Sequence, residues 1–201
     1  MIKTIIFDLG NVIVPFQFRR GYEAMKPYSN LTPEEMRARL GPTGWVPLLE
    51  TGKIEPRDFV DRLCGLFDMN MSYDEFREAW SAIFLPDTLV PESLIAALGE
   101  RHRMLLLSNT NAIHYEMLER AYPLLAHFHG RILSHEVGAA KPDAAIYRAA
   151  LALAGCRPEE CFFTDDIEQY VEAARPEGID AVQFTGLEQL EQDMRSRGIE
   201  W

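Results

Sequence analysis

The chain has 201 residues, enough for one continuous hydrophobic core with an insertion, because a chain of this size buries roughly 70% of its unfolded surface. Its 47% hydrophobic and 25% charged residues are ordinary for a globular protein, so the composition argues against disorder, collagen and coiled coil. The 20 basic and 31 acidic residues give a net charge of -11, which makes nucleic acid and anionic membranes poor partners.

Further features of the sequence predict where the protein works. No apolar run approaches the ~18 residues that a membrane-spanning helix needs, and the N-terminus enters a strand pattern at once, without a signal-peptide layout. The three cysteines are an odd number without metal-ligand spacing, which is typical of a reduced interior. We therefore expect a cytoplasmic protein, and the sequence leaves its oligomeric state open.

Short apolar segments rich in strand-forming residues alternate with helical segments along most of the chain. Their continuous apolar character indicates strands that are buried on both faces of a parallel sheet. This order predicts an α/β fold, a Rossmann-like doubly wound parallel sheet. The five predicted strands are Thr4–Phe7, Met104–Leu107, Arg131–Leu133, Cys161–Phe163 and Ala181–Phe184.

The alternation stops between residues 15 and 88, where the pattern is helical only. Thr32–Glu35 and Ser72–Glu75 have the form of capping boxes that open helices. Phe59–Phe67 and Phe76–Phe84 then repeat apolar residues with a helical period. We therefore expect a small helical cap domain at residues 15–88, inserted into a core domain formed by residues 1–14 and 89–201.

Two helix starts are predicted in the second half of the chain. Pro142 is expected to open a helix that Gly155 ends, because proline suits the first helical turn and glycine the residue after the last. Thr185–Glu188 has the form of a capping box for a final helix, with Leu187, Leu190 and Met194 on its apolar face.

Polar side chains follow four of the predicted strands. Because parallel sheets bind ligands at the carboxyl ends of their strands, we expect these side chains to meet in one crevice. They are Asp8, Gly10 and Asn11 after the first strand, Ser108 and Asn109 after the second, Lys141 after the third, and Asp165 and Asp166 after the fourth.

A carboxylate in such a crevice can attack phosphorus. Asp8 would form an aspartyl-phosphate, which divides hydrolysis into two easier steps. Since two anions repel, a cation must neutralise the phosphate, and Mg²⁺ prefers carboxylates such as Asp8 with Asp165 or Asp166. Lys141 would add a second positive charge as a catalytic residue. The adjacent pair Asp165 and Asp166 also points to a metal, because like charges side by side repel.

Other groups of the crevice would contact the phosphate oxygens. Ser108 and the backbone amide of Asn109 can hold a non-bridging oxygen as its charge changes during transfer. The helix expected to begin at Pro142 would aim its first amides and the positive end of its dipole at the same anion.

Four motifs in this order resemble the haloacid dehalogenase superfamily, in the group with a helical cap after the first motif. They are Ile5–Val12, Leu107–Asn111, Lys141–Asp143 and Phe163–Asp166, and Glu50–Ile54 in the predicted cap is also similar to that group. The branch most similar to this sequence is the alpha-D-glucose-1-phosphate phosphatase-like one, whose first motif likewise reads Asp-Leu-Gly-Asn-Val.

The resemblance implies a Mg²⁺-dependent phosphatase that acts on a small phosphorylated metabolite such as a sugar phosphate. It further implies that the backbone carbonyl of residue 10 is a metal ligand together with the carboxylates. Substrate contacts are expected from Gly10, Asn11, Ser108, Asn109 and Lys141.

One position departs from the family pattern. Phosphatases of this superfamily have a second aspartate two residues after the nucleophile, acting as general acid and base, where this chain has Gly10. Such catalysis typically contributes about 10²–10⁴-fold. We therefore expect leaving groups that are easily expelled, as in anomeric sugar phosphates, acyl phosphates or aryl phosphates. Alternatively, Tyr22, Glu23 or Glu50 of the cap could supply the proton.

Two other functions stay open at this point. One is a metal-free 2-haloacid dehalogenase, which Gly10 does not exclude, although the resemblance implies that such enzymes dispense with the acid pair present here as Asp165 and Asp166. The other is a catalytically weak or silent binding protein, for which Gly10 is the only support. In each enzyme, the specificity would lie in the cap, with candidates Arg19, Arg20, Tyr22, Trp45, Glu50 and Lys53.

Overall fold

The computed structural model describes residues 1–201, with a five-stranded sheet at the centre. The strands are β1 (Thr4–Phe7), β2 (Arg103–Ser108), β3 (Gly130–Leu133), β4 (Cys161–Asp165) and β5 (Asp180–Gln183). They pair in the order β3-β2-β1-β4-β5, and every pair is parallel. The predicted Rossmann-like parallel sheet is confirmed, with every predicted strand present.

Alternate residues of each strand pack on opposite sides of the sheet. In β1, Ile5 and Phe7 belong to a cluster of 25 buried apolar residues, whereas Ile6 belongs to a second cluster of 14. Phe162 and Phe163 of β4 divide between the two clusters in the same way. Because both faces are covered, most positions of the central strands are apolar, which explains the apolar runs in the sequence.

Eleven α-helices surround or extend from the sheet, and none of them is long and apolar enough to cross a membrane. Five lie between β1 and β2: α1 (Phe18–Met25), α2 (Pro33–Leu40), α3 (Trp45–Glu50), α4 (Pro56–Phe67) and α5 (Tyr73–Ser81). The others are α6 (Glu92–Arg101), α7 (Ala112–Ala121), α8 (Ser134–Val137), α9 (Ala144–Ala154), α10 (Glu168–Ala174) and α11 (Leu187–Ser196).

Helices α1–α5, which we call the cap helices, share a hydrophobic cluster of their own. Phe59, Phe67, Phe76 and Trp80 are buried in it, and Ile113 of α7 joins it from outside. Both predicted capping boxes are confirmed, because the side chains of Thr32 and Ser72 cap α2 and α5. The separate cluster is what a cap domain at residues 15–88 would have, and that division of the chain stays a prediction.

Two chain segments join the cap helices to the sheet, and they run side by side. The amide of Gln17 donates to the carbonyl of Ile83 at 2.8 Å, and the amide of Leu85 donates to the carbonyl of Pro15 at 2.9 Å. Phe16 and Phe84 form an antiparallel bridge between these bonds. Ile83 and Phe84 therefore lie in this connection, beyond the end of α5 at Ser81, and not in the helix whose period they continue.

The two predicted helix starts in the second half of the chain are wrong in detail. Helix α9 begins at Ala144, because the Asp143 side chain caps it by accepting from the Ala145 amide at 2.8 Å, which leaves Pro142 outside. Helix α11 begins at Leu187 without a capping box, because Gly186 adopts φ 147°, a conformation that favours glycine, and no side chain caps the helix.

Candidate active site

A cavity of about 290 Å³ opens at the carboxyl ends of β1, β2 and β4, and we call it the strand-end cavity. Seven of the eight side chains predicted to meet there line it, and Asp165 lies fully buried behind them. The structure thus brings together residues from four separate parts of the sequence. The seven lining residues are Asp8, Gly10, Asn11, Ser108, Asn109, Lys141 and Asp166.

A buried lysine connects the ends of β1 and β4. The Nζ atom of Lys141 lies 2.7 Å from Oδ1 of Asp8 and 2.5 Å from Oδ2 of Asp165. Burial raises the pKa of Asp8 to about 7, although the charge of Lys141 opposes this. Burial would lower the pKa of Lys141, but the two carboxylates outweigh burial and raise it. Lys141 is therefore charged and shared between two carboxylates.

The side chain of Asn109 holds the backbone of Lys141 at both ends. Its Oδ1 accepts from the Lys141 amide at 2.8 Å, and its Nδ2 donates to the Lys141 carbonyl at 2.9 Å. The side chain is thus fully used in positioning the lysine, while the backbone amide of Asn109 makes no hydrogen bond within the chain. The hydroxyl of the buried Ser108 lines the cavity beside it.

The two adjacent aspartates after β4 have different surroundings. Asp165 uses both carboxylate oxygens, because Oδ2 accepts from Lys141 and Oδ1 accepts from the Ile167 amide at 2.9 Å. Asp166 is half-buried and forms no ion pair, and burial followed by the charge of Asp165 raises its pKa. The expectation that this pair needs a cation therefore applies mainly to Asp166, because Lys141 already balances Asp165.

Three carboxylates lie close enough to hold one cation. One oxygen from each of Asp8, Asp165 and Asp166 falls within 4.8 Å of the others. Oxygen donors of this kind suit Mg²⁺, so the residues fit such an ion. Because the oxygens of Asp165 are occupied, Asp8 and Asp166 are the carboxylates best placed as direct ligands, and the Gly10 carbonyl accepts no hydrogen bond within the chain.

The turn after β1 fixes the position of Gly10. Asn11 has φ 52°, and its Oδ1 accepts from the Phe16 amide at 3.2 Å, so its side chain stabilises the turn. A Cβ atom on Gly10 would lie 2.7 Å from Cε1 of Phe16. The ring of Phe16 packs edge-on against those of Phe18 at 5.0 Å and Phe84 at 6.2 Å. An aromatic wall, formed by Phe16, Phe18 and Phe84, thus occupies the space beside Gly10.

The helix expected to aim its first amides at the phosphate begins later than predicted, and its role at the cavity stays a prediction. Helix α9 begins two residues after Pro142, and its Ala145 amide is occupied by the Asp143 carboxylate. The positive charge beside Asp8 comes from the side chain of Lys141.

A second cavity of about 560 Å³, which we call the cap cavity, adjoins the first. Phe18, Glu50 and His114 line both of them. Among the predicted specificity residues, Arg19, Tyr22 and Glu50 line the cap cavity, whereas Arg20, Trp45 and Lys53 line neither cavity.

Glu23, one of the predicted proton donors, also lies outside both cavities. Its Oε1 accepts from Nε of Arg19 at 2.7 Å on the exposed side of α1.

Sequence reasoning missed His114, which connects α7 to the cap helices. Its ring stacks on Trp80 with centroids 5.6 Å apart, and Nε2 lies 3.2 Å from the Trp80 carbonyl. Nδ1 lies 3.2 Å from Nδ2 of Asn111, so both ring nitrogens have partners. Burial lowers the pKa of His114 to about 4, which keeps it neutral. A single histidine on a helix has no spacing signal that could have identified it.

Tyr170 and Arg37 were missed as well. The Tyr170 hydroxyl lies 3.4 Å from Nδ2 of Asn109, and its ring centroid lies 5.2 Å from Nζ of Lys141. Arg37 lines the cap cavity on α2 and forms no ion pair. Neither belongs to a motif, so only the packing of the helices identifies them.

Comparison with known proteins agrees with this arrangement. Residues 2–178 match the family model of haloacid dehalogenase-like hydrolases. D-ribitol-5-phosphate phosphatase of Bacteroides thetaiotaomicron is 26% identical over 189 residues, which cover 91% of this chain and 92% of that protein. A phosphatase of Mycobacterium tuberculosis is 27% identical over 192 residues, covering 90% and 86% of the two chains.

Solved structures show the same similarity to haloacid dehalogenase family enzymes. A haloacid dehalogenase family enzyme of Bacteroides thetaiotaomicron, crystallised with magnesium and inorganic phosphate, superimposes with a TM-score of 0.81 at 27% identity, covering 92% of this chain and 96% of that one. The family match extends over most of the chain and includes the residues of the strand-end cavity from Asp8 to Asp166. The chain therefore belongs to the haloacid dehalogenase-like hydrolases.

Proposed function

We propose that the protein is a Mg²⁺-dependent phosphatase that hydrolyses a small phosphorylated metabolite through an aspartyl-phosphate on Asp8. The observation that carries this proposal is the position of the Asp8 carboxylate. It lies 2.7 Å from the Lys141 ammonium and within 4.8 Å of the carboxylates of Asp165 and Asp166, at the open edge of the sheet. A nucleophile, a fixed cation and a set of metal ligands thus meet in one cavity.

Each group has a role in the proposed reaction. An oxygen of Asp8 forms a bond to phosphorus, while the bond from phosphorus to the alcohol oxygen breaks and the alcohol leaves with that electron pair and takes up a proton. Lys141, Ser108 and the amide of Asn109 stabilise the charge on the phosphoryl oxygens. Water then attacks phosphorus, which releases phosphate and restores the Asp8 carboxylate.

The cation would be held by Asp8, Asp166 and the carbonyl of Gly10. When bound, Mg²⁺ supplies Lewis-acid neutralisation of the phosphate charge. Asp165 keeps Lys141 in place at 2.5 Å and thereby acts as a positioning residue. The clustering of carboxylates supports phosphate chemistry over metal-free dehalogenation, which requires no cation site.

The substrate class we propose is a sugar or sugar-alcohol phosphate. The relative from Bacteroides thetaiotaomicron acts on D-ribitol-5-phosphate, and this chain is similar to it over 91% of its length. The cap cavity beside the phosphate site offers polar groups, among them Tyr22, Arg37 and Glu50, to a hydroxylated leaving group. Two predictions stay open, and both come from the glycine at position 10. They are a preference for an anomeric phosphate and membership of the alpha-D-glucose-1-phosphate phosphatase-like branch.

The test is phosphate release from p-nitrophenyl phosphate and a panel of sugar and sugar-alcohol phosphates, each with Mg²⁺ and with a chelator. We expect activity only with Mg²⁺, and a loss of at least about 10³-fold in Asp8→Asn, because the nucleophile is gone. Glu23→Gln, which changes a carboxylate outside both cavities, is the matched control. Unchanged turnover in Asp8→Asn would disprove the assignment of the nucleophile, and chloride release from 2-chloropropionate without metal would favour the dehalogenase.

A further inference from the structure

The wall of the strand-end cavity beside Asp8 contains no proton donor. Phe16, Phe18 and Phe84 form this wall, and the contact of 2.7 Å between a Cβ on Gly10 and Phe16 leaves no space for an acidic side chain there. An alkoxide is a poor leaving group, so hydrolysis of an alkyl phosphate needs an acid from another direction.

The other titratable groups of the cavity are already engaged. Lys141 is shared between two carboxylates, and both ring nitrogens of His114 have partners. The Tyr170 hydroxyl lies within hydrogen-bonding distance of Asn109. Asp8 is the proposed nucleophile and Asp166 a proposed metal ligand, so neither is free to protonate the leaving group.

Glu50 is the remaining acid that lines the strand-end cavity. It lies at the end of α3, where the strand-end cavity meets the cap cavity, and it forms no hydrogen bond or ion pair through its side chain. Burial raises its pKa to about 7, which favours the protonated form that a proton donor needs. Tyr22 lines only the cap cavity, and Glu23 lines neither cavity.

The loop after α3 holds Glu50 against the core. Gly52 has φ 64°, and a Cβ atom on it would lie 2.4 Å from the carbonyl oxygen of His135 in α8. Only glycine allows this close approach of the two backbones. Glu50 is thus supported two residues away by a direct contact between the cap helices and the core.

We propose that Glu50 is the acid and base of the reaction, a role that rests on the proposed phosphatase function. Its carboxyl donates a proton to the alcohol oxygen as the bond from that oxygen to phosphorus breaks. The resulting carboxylate then accepts a proton from the water that attacks the aspartyl-phosphate, which restores the acid. The titratable and charged groups that line the two cavities with Glu50 are Asp8, Arg19, Tyr22, Glu34, Arg37, His114, Lys141, Asp166 and Tyr170.

The test compares leaving groups in the wild type, Glu50→Gln and the control Glu23→Gln. Removing the acid should lower kcat/KM for a sugar-alcohol phosphate by about 10²–10⁴-fold, whereas kcat/KM for p-nitrophenyl phosphate, whose leaving group needs no proton, should fall less than about tenfold. This ratio reports formation of the aspartyl-phosphate, whereas kcat also includes its hydrolysis, which is common to both substrates and would lose the base. A plot of log kcat/KM against the pKa of the leaving group should become steeper in Glu50→Gln. Equal thermal midpoints of the variants will show that the fold is intact.

A pH profile gives a second readout. The donor must be protonated when the alcohol leaves, so kcat/KM of the wild type on the sugar-alcohol phosphate should fall as the pH rises through about 7, and this limb should disappear in Glu50→Gln. Equal losses of kcat/KM for both leaving groups, or a change in KM with kcat unchanged, would mean that Glu50 only contacts the substrate and would overturn the proposal. So would a wild type that hydrolyses aryl but not alkyl phosphates, whereas an inactive wild type would overturn the phosphatase function itself.

Discussion

The strand-end cavity and the cap cavity differ in how far their charged side chains are buried and paired. In the first, Lys141, Asp8 and Asp165 are buried and joined by contacts of 2.7 Å or less, and Asn109 holds the backbone of the lysine. In the second, Arg37 and Glu50 have no ion pairs, and the pairs that Arg19 forms with Glu23 and Glu34 lie between exposed side chains. The difference fits our proposal, in which the buried, paired groups bind the phosphoryl group that every substrate shares and the cap cavity contacts the part that varies.

Burial explains why the charged side chains of the strand-end cavity need ion-pair partners and Arg37 of the cap cavity does not. A charge removed from water is strongly destabilising unless an opposite charge and hydrogen bonds offset the loss of hydration. Lys141 is 3% exposed and Asp165 is 0% exposed, so each requires its partner. Arg37 is exposed at the rim of a larger cavity and keeps water as a partner.

The largest effect is expected in the strand-end cavity, in Lys141→Met. This change leaves the buried carboxylates of Asp8 and Asp165 without a counter-charge, which should lower the free energy of unfolding by about 3–5 kcal/mol. Loss of the fixed cation should also lower kcat by about 10²–10³-fold. Urea unfolding and phosphate release measure the two effects. Lys26→Met, at an exposed lysine, is the control, and a Lys141 variant as stable and active as this control would contradict the account.

The next largest effect is a pH dependence of stability that arises from His114, which lines both cavities. Its pKa is lowered to about 4 in the folded protein, below the ordinary value of 6.5, so its contribution to stability is complete above pH 6.5 and is lost as the pH falls toward 4. The loss should reach about 3 kcal/mol. In His114→Gln, the free energy of unfolding should depend less on pH in this window. His127→Gln, at the partly exposed His127, should retain the wild-type slope.

A smaller effect on stability is expected when a side chain at position 10 is placed against the aromatic wall. Gly10→Asp should lower the free energy of unfolding by about 1–3 kcal/mol, because the new Cβ overlaps the ring of Phe16. Adding Phe16→Ala to this variant should relieve the overlap, while kcat/KM on alkyl phosphates should stay near that of Phe16→Ala alone, because Glu50 already supplies the proton. If Gly10→Asp were as stable as the wild type, the wall would not fill this space.

The smallest effect is expected in the cap cavity, in Arg37→Gln. With no ion pair to lose, the free energy of unfolding should change by less than about 0.5 kcal/mol. We expect KM for the preferred substrate to rise a few-fold while KM for p-nitrophenyl phosphate stays constant, because the nitrophenyl group lacks the hydroxyl groups that Arg37 would bind. An equal rise in KM for both substrates would contradict the proposed difference in role between the two cavities.

The sheet and the strand-end residues could be predicted because they follow from simple rules. Unbroken apolar runs indicate strands covered on both faces, and a parallel sheet brings their carboxyl ends to one edge, so Asp8, Ser108 and Asp166 were predictable together. That Asp165 pairs with Lys141 while Asp166 faces the cavity depends on side-chain directions that the spacing does not encode.

The cap cavity could be predicted only in part. Apolar periodicity correctly indicates which faces of α4 and α5 are buried, but it does not determine which helices lie next to each other. Arg37 and His114 line the cavity because of that arrangement. Phe16 was overlooked because an aromatic residue near the end of a strand indicates packing, whereas here its position decides which side chains fit at Gly10.

The measurement that tests the central claim most directly is a crystal structure of the protein with Mg²⁺ and beryllium fluoride, which mimics a phosphoryl group on a carboxylate. We predict beryllium bonded to an oxygen of Asp8, with the cation between Asp8 and Asp166 and Lys141 beside the fluoride ligands. Beryllium fluoride attached elsewhere, or a magnesium ion that touches neither Asp8 nor Asp166, would contradict the account.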